Sequence, residues 1–177
     1  SGYTCAGKTA LFNYLTNETK EVSPGVFTTL TTHSRSVDLL KLKIILSDTV
    51  GFISDIPTYM IESFKSTLEE LTYANVVILI IDVSDPIDEF IEKYWNCMNI
   101  LLELQVSPEK ILPVFNKTDL ISQEDINLKL EDANLNLKTY SFISAKNGNG
   151  IENLKIMLKK MLNEQKLDYS KNKIIIN

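Results

Sequence analysis

Histidine and cysteine are scarce in this sequence. Its 177 residues include one histidine, His33, and two cysteines, Cys5 and Cys97, which show no paired spacing. A histidine-rich metal centre is therefore excluded, and neither a disulfide framework nor a zinc site is expected. Such cysteine usage fits a reducing cytosol, so we expect a cytoplasmic protein.

Long hydrophobic runs are missing as well. No run reaches the roughly 20 residues of a membrane-spanning helix, and no signal peptide is visible, so we expect no membrane partner. Charge is modest, because 18 basic and 23 acidic residues give a net charge of −5. We therefore expect no broad nucleic-acid-binding face, which needs concentrated positive charge. We also expect a monomer.

Glycine is infrequent, but two of the six glycines frame a phosphate-binding loop. Residues 2–9 read GYTCAGKT, which matches the pattern G-x-x-x-x-G-K-[ST]. Backbone N–H groups of such a turn cradle phosphate oxygens, and the following helix adds the positive end of its dipole. Lys8 can reach the β- and γ-phosphates, and the Thr9 hydroxyl can ligate Mg²⁺. A glycine turn before an ordinary helix is the alternative. The residues expected to contact nucleotide here are Gly2, Tyr3, Thr4, Cys5, Ala6, Gly7, Lys8, Thr9 and Ala10.

Apolar patterning predicts alternating helices and strands along the chain. Helices are expected over residues 8–15, 58–74, 84–105, 123–133 and 151–163, and strands over 35–41, 42–47, 76–82, 111–116 and 139–143. Strands that alternate with helices predict an α/β fold, with a mainly parallel sheet and helices on both of its faces.

The two ends of the chain carry further expectations. A phosphate-binding loop normally follows a buried strand, yet only Ser1 precedes Gly2, so we expect a fold that lacks its first strand here. We expect residues 1–165 to form the nucleotide-binding domain, and the chain to be a fragment of something longer whose first strand lies upstream. Residues 166–177 are expected to be a tail or the start of a further C-terminal domain, whose first strand would contain the isoleucine triplet 174–176.

Four polar residues lie at the ends of predicted strands, namely Asp48, Asp82, Asn116 and Ser144. Ligands of parallel sheets bind beyond the carboxyl ends of the strands, so these positions are candidates for a site. Asp48 begins the sequence DTVG, and a carboxylate there can hold Mg²⁺ through water. The Gly51 N–H can approach the γ-phosphate because glycine has no Cβ. A simple strand-ending turn is the alternative.

Residues 116–119, Asn-Lys-Thr-Asp, suit the recognition of guanine. The Asp119 carboxylate can accept from the guanine N1–H and 2-amino group together, whereas adenine offers no matching pair of donors. Asn116 can support the loop, and the Lys117 stem can lie across the purine face. Leu120 follows in the same loop and joins the expected binding set. A polar Asx-type turn is the alternative.

A weaker signal is the tripeptide Ser144-Ala145-Lys146. It is informative because it lies between a strand and the last helix. The Ala145 N–H can donate there to the guanine O6. Three such loops, in this order and at three strand ends, arise together by chance far less often than any one of them.

In the order and spacing of these loops, the chain resembles the translation-factor-related class of GTPases over almost its whole length. It resembles the HflX family more narrowly, in DTVGFISDIP at 48–57, ESFKSTLEE at 62–70, VFTTL at 26–30 and GYT at 2–4. This resemblance implies a phosphate-loop GTPase fold, Mg²⁺-dependent hydrolysis of GTP to GDP and phosphate, and an N-terminal domain. It also implies binding to the large ribosomal subunit, and some HflX proteins separate stalled or stressed ribosomes.

The resemblance also implies roles for single residues. Thr29 corresponds by position to the switch threonine, which ligates Mg²⁺ and meets the γ-phosphate in the GTP state, and it joins Lys8 and Gly51 in the expected catalytic set. Phe52 stands where Ras-like enzymes have a water-orienting glutamine, so we expect slow hydrolysis that ribosomes accelerate. Cys5 replaces an asparagine that helps to bind K⁺ in potassium-stimulated relatives, so we expect little stimulation by K⁺.

Two alternatives stay open at this point. A GTPase of tRNA modification shares the hydrophobic residue that follows Gly51. A non-hydrolysing interaction module would bind the nucleotide without turning it over.

Overall fold

The computed structural model describes residues 6–18, 33–48, 71–135, 137–164 and 173–176. The α-helices in this part of the chain are α1 (Lys8–Thr16), α2 (Ile87–Glu103), α3 (Gln123–Asp132) and α4 (Ile151–Glu164). The strands are β1 (His33–Leu39), β2 (Leu42–Asp48), β3 (Val76–Asp82), β4 (Ile111–Asn116), β5 (Ser141–Phe142) and β6 (Lys173–Ile176). Single 3-10 turns span Pro108–Lys110 and Thr118–Leu120.

The strands form one sheet of six strands in the order β1-β2-β6-β3-β4-β5. β1 is antiparallel to β2, and every other neighbouring pair is parallel. The prediction of a mainly parallel α/β sheet is therefore confirmed. The strand predicted over 35–41 ends earlier, at Leu39, because Leu40 and Lys41 have φ values of 48° and 71° and form the tight turn into β2. Two consecutive positive φ values suit the right-handed twist of such hairpins.

Alternate residues of the central strand β3 separate the core into two layers. Val76, Ile78 and Ile80 join one cluster, with apolar residues of α1 and α4. The intervening residues of β3 join a second cluster, with apolar residues of α2 and with Ile126 of α3. Because successive strand residues point to opposite faces, this division places helices on both faces of the sheet, as predicted.

Helices form where apolar residues recur at helical spacing. In α2 the buried residues are Phe90, Tyr94, Cys97 and Leu101, and in α4 they are Ile151, Leu154, Leu158 and Leu162. Spacings of three and four residues place each set on one stripe of its helix. α2 begins at Ile87, later than predicted, because Pro86 has the extended ψ of 149°. Most of the helix predicted over 58–74 lies outside the described residues. Within the part that is described, residues 71–73 are helical.

β6 corrects one expectation from the sequence. The isoleucine triplet does not begin a separate domain, because β6 lies between β2 and β3 and is parallel to both. Ile174, Ile175 and Ile176 are all fully buried. Asn75 fixes the start of the strand, since its N–H donates to Lys173 O at 2.9 Å and its Oδ1 accepts from Lys173 N at 2.7 Å. Burial of three isoleucines explains the placement, at about 1.5–3 kcal/mol for each side chain.

Candidate functional site

Polar residues from three strands meet at the carboxyl edge of the sheet. Asp48 ends β2, Asp82 ends β3, and Asn116 ends β4 and lies in register with Asp82. Ser144 lies just beyond β5, and all four residues are buried. A parallel sheet turns the ends of its strands to one side, which is where ligands of such folds bind.

The turn that precedes α1 is seated on Asn116. The Asn116 Nδ2 donates to Ala6 O at 2.8 Å, and the Gly7 carbonyl accepts from Leu11 N at 3.0 Å as α1 begins. Gly7 has a φ of 102°, and a Cβ added there would lie 2.2 Å from Asn116 Nδ2. Only glycine fits this position, because both the backbone conformation and the close approach exclude a side chain. The second glycine of the loop therefore permits direct contact between this turn and β4.

The same asparagine also holds the turn after β5. Ala145 N donates to Asn116 Oδ1 at 2.9 Å, and both residues are buried. In the structure the Ala145 N–H therefore donates to Asn116, and the contact predicted between this N–H and a guanine O6 stays a prediction. Asn116 therefore joins the phosphate-loop turn, its own strand and the 144–147 turn through one side-chain amide.

Asp119 lies on the rim of this site and is supported by Ser144. The Ser144 Oγ donates to Asp119 Oδ1 at 2.7 Å and accepts from Asn147 N at 3.2 Å. Asp119 is exposed. The hydrogen bond from Ser144 lowers the pKa of the Asp119 carboxyl below its usual range, with smaller lowering effects from Lys146 and Lys117. Asp119 is thus an ionised acceptor, which is the form that two guanine N–H groups require.

Asp82 is a site residue to which sequence reasoning gave no role. Its Oδ2 pairs with Lys117 Nζ at 2.5 Å, and its Oδ1 accepts from Ser84 N at 3.0 Å and from Ser84 Oγ at 2.6 Å. Lys117 has a left-handed backbone, with φ 66° and ψ 34°. In the sequence, Asp82 is recognisable only as a carboxylate at the end of a buried strand. Its pairing with Lys117 depends on the register between β3 and β4, which the sequence does not give.

The donor set at this edge fits Mg²⁺. Asp48 is a buried carboxylate with 1% exposure at the end of β2, and Thr9 offers a hydroxyl in the first turn of α1. Among the described residues, no cluster of three or more histidine, cysteine, aspartate or glutamate side chains is present. Mg²⁺ prefers hard oxygen ligands and is commonly held by one or two protein groups together with substrate phosphates and water.

The structure covers part of the predicted set. Lys8, Thr9 and Ala10 lie in the first turn of α1, and Leu120 and Lys146 are exposed beside Asp119 and Ala145. The remaining site predictions lie outside the described residues and stay predictions; they are Gly2, Tyr3, Thr4, Cys5, Thr29 and Gly51. No helix in the described part of the chain is long and apolar enough to cross a membrane.

Comparison with known proteins agrees with this geometry. A family model described as 50S ribosome-binding GTPase matches residues 1–117. GTPase HflX of Methanocaldococcus jannaschii is 42% identical over 162 residues, which cover 92% of this chain and 40% of that protein. GTPase HflX of Magnetococcus marinus is 38% identical over 170 residues, covering 95% of this chain and 38% of that protein. The predicted resemblance to HflX is confirmed, and the chain spans about two fifths of the length of these curated relatives.

Solved structures give the same result for the fold. A GTP-binding protein from Sulfolobus solfataricus, crystallised in complex with GDP, is 29% identical and superposes with a TM-score of 0.73. The match covers 93% of this chain and 51% of that chain. The predicted phosphate-loop GTPase fold is therefore confirmed.

Proposed function

Because this chain belongs to the 50S ribosome-binding GTPase family, we propose that it binds GTP with Mg²⁺ at the carboxyl edge of its sheet and hydrolyses GTP to GDP and phosphate. The observation that carries this proposal is the buried Asn116 side chain, which bonds to Ala6 before α1 and to Ala145 after β5. One amide joins the part of the site that suits phosphates to the part that suits a guanine base.

The phosphates are assigned to the beginning of α1. Lys8 and the N–H groups of the first helical turn supply positive charge to the phosphate oxygens. Thr9, Asp48 and Thr29 would hold Mg²⁺, which would neutralise phosphate charge when bound. Water attacks the γ-phosphorus in line, the bond to the β-phosphate oxygen breaks, and Lys8 and the loop amides stabilise the transferred charge, with Gly51 N–H contacting the γ-phosphate.

The base is assigned to the loops after β4 and β5. Asp119 accepts from the guanine N1–H and 2-amino group, while Ser144 holds one carboxylate oxygen in place. The Lys117 stem lies across the purine face. The contact to O6 is assigned to the N–H of Ala145, which donates to Asn116 Oδ1 in the structure and would be shared with O6 when the base is bound.

The partner we propose is the large ribosomal subunit, reached in the cytoplasm by a monomer. The description of the matching family and the HflX relatives support this assignment. Loss of the γ-phosphate removes the contacts assigned to Thr29 and Gly51, so the two loops that carry them relax. The partner then distinguishes the GTP state from the GDP state by the shape of these loops.

A single-turnover assay tests the proposal. The chain is mixed with GTP and Mg²⁺, with and without purified large ribosomal subunits, and GDP is measured over time. We expect slow hydrolysis alone and faster hydrolysis with subunits, with similar rates in KCl and NaCl. If ATP competed with GTP as well as unlabelled GTP does, guanine recognition would be contradicted. If GTP bound but was not hydrolysed with or without subunits, the chain would be a non-hydrolysing nucleotide-binding module.

The Asp119→Asn variant tests base recognition. An asparagine amide can donate to the xanthine O2 that replaces the guanine 2-amino group, so we expect the preference to shift from GTP towards xanthosine triphosphate. Glu152→Gln is the control, because Glu152 is an exposed carboxylate on α4 that pairs with Lys155 at 2.6 Å. An unchanged preference in Asp119→Asn would show that this residue does not read the base.

A further inference from the structure

We propose that Asp82 is a positioning residue for the nucleotide, because its carboxylate anchors the Lys117 ammonium and so keeps the lysine stem across the purine face. This inference rests on the proposed function, in which Lys117 contacts the base. It adds the end of β3 to the binding site, and it gives Asp82 a role that neither phosphate binding nor reading of the guanine edge requires.

Both oxygens of the Asp82 carboxylate have partners. Two donors of Ser84, its N–H and its hydroxyl, bind Oδ1, and the Lys117 ammonium binds Oδ2. Asp82 is only 8% exposed. Charge-assisted hydrogen bonds are the strong and directional ones, and burial protects them from competition by water. The carboxylate is therefore held in one orientation, and the ammonium is held with it.

Lys117 depends on such an anchor because of its place in the backbone. Its left-handed φ of 66° is uncommon for a residue that carries a Cβ. It also follows Asn116, which is in register with Asp82 and accepts from Val83 N through its carbonyl oxygen at 3.0 Å. The ion pair thus ties the side chain of the first residue after β4 to the last residue of β3.

Two lysines from the helices behind the sheet support the segment that carries Ser84. Lys129 of α3 donates through Nζ to Val83 O at 2.8 Å and to Asp85 O at 2.5 Å. Lys93 of α2 pairs with Asp85 Oδ2 at 2.8 Å. These contacts fix the turn after β3 from its outer side, so Asp82 is oriented by groups that do not contact the nucleotide.

A merely structural carboxylate would behave differently from a positioning one. If Asp82 acts through the Lys117 ammonium, its removal weakens nucleotide binding only while that ammonium is present. If Asp82 serves only the stability of the turn, its removal costs the same with or without the ammonium. A double-mutant cycle separates the two cases.

The experiment measures binding of GDP and inosine diphosphate by the full chain and by Asp82→Asn, Lys117→Met and the double variant. Methionine keeps an apolar stem but has no ammonium. We expect Asp82→Asn to raise the dissociation constant for GDP by about tenfold, and by less than twofold in the Lys117→Met background. The fold increase in the dissociation constant should be the same for inosine diphosphate, because hypoxanthine and guanine offer the same purine ring face to the lysine stem.

Controls keep the outcomes distinct. Asp88→Asn removes an exposed carboxylate from the first turn of α2 and should leave GDP affinity unchanged. If thermal unfolding shows that Asp82→Asn does not fold, Ser84→Ala replaces it in the cycle. We expect Ser84→Ala to raise the dissociation constant for GDP about threefold, and again only when Lys117 is present. If Asp82→Asn weakened GDP binding equally in the unmodified chain and in the Lys117→Met background, only the positioning role of Asp82 would be overturned. Failure of the unmodified chain to bind GDP would overturn the proposed function itself.

Discussion

Asn116 and Ala6 are joined by a buried hydrogen bond of 2.8 Å across 110 positions of sequence. The donor is a side chain at the end of β4, and the acceptor is a backbone carbonyl in the turn that begins α1. Because the same amide accepts from Ala145 N, the geometry of the phosphate-loop turn and that of the base-binding turn depend on one another.

The Asn116→Asp variant tests this dependence. A carboxylate can still accept from Ala145 N but has no N–H for Ala6 O, so two acceptors would face each other in a buried site. We expect a loss of about 3 kcal/mol in the free energy of unfolding, measured by urea denaturation without nucleotide. The matched variant Asn127→Asp, on the exposed face of α3, should change it by less than about 0.5 kcal/mol. Similar losses of unfolding free energy in Asn116→Asp and Asn127→Asp would argue against a link between the two turns through Asn116.

Two glycines with positive φ should differ in their tolerance of alanine. At Gly7, with φ 102°, a Cβ would meet the buried Asn116 amide at 2.2 Å, whereas at Gly148, with φ 79°, it would meet the Tyr14 hydroxyl at 2.3 Å. Tyr14 is 44% exposed and can swing away. We expect Gly7→Ala to cost about 3 kcal/mol and to abolish GDP binding, and Gly148→Ala to cost about 1 kcal/mol. The measurements are urea denaturation and GDP titration, and equal costs would contradict the steric argument.

Sequence reasoning found β3 and β4 with their observed bounds. These strands are buried throughout, so their apolar runs are continuous and end at the polar residues Asp82 and Asn116. The motifs after β4 and β5 were found for a related reason, since recognition of a base by carboxylate and amide groups constrains residue type and spacing. Local chemistry therefore predicts strands β3 and β4 and the polar residues that meet beyond their ends, whereas the nucleotide contacts of those residues stay predictions.

Long-range pairing could not be predicted in the same way. An isoleucine triplet indicates a buried strand but not its neighbours, so the position of β6 between β2 and β3 was missed. The pairing of Asp82 with Lys117 depends on the register of two strands and on a left-handed φ. Neither can be predicted from the local sequence, and the hydrogen bond from Ala145 N to Asn116 Oδ1 could not be predicted for the same reason.

The place of β6 in the core can be measured. Ile175 is fully buried in the cluster that contains residues of α2, whereas Ile156 of α4 is 58% exposed. We expect Ile175→Ala to lower the free energy of unfolding by about 3 kcal/mol and Ile156→Ala by less than about 0.5 kcal/mol. Urea denaturation of both variants provides the comparison. A small effect at Ile175 would show that the strand is not an integral part of the sheet in solution.

The hydrogen bond between Ser144 and Asp119 predicts a pH dependence. The pKa of Asp119 is lowered in the folded chain, chiefly by this bond, so its contribution to stability is present above the unfolded pKa and is lost as pH falls through the folded pKa. Ser144→Ala removes the Oγ donor, so we expect the pKa of Asp119 to rise towards its ordinary value.

NMR titration of the Asp119 carboxyl carbon, in the unmodified chain and in Ser144→Ala, measures this shift directly. Since only ionised Asp119 accepts both guanine donors, acid should also weaken GDP binding, and it should do so at a higher pH in Ser144→Ala. The variant Ser122→Ala is a useful comparison, because Ser122 Oγ donates to the Asp125 carboxylate at the exposed start of α3, away from the site. An identical Asp119 titration in the unmodified chain and in Ser144→Ala would mean that the serine does not hold the carboxylate. Its role would then be confined to the bond from Asn147 N that closes the turn.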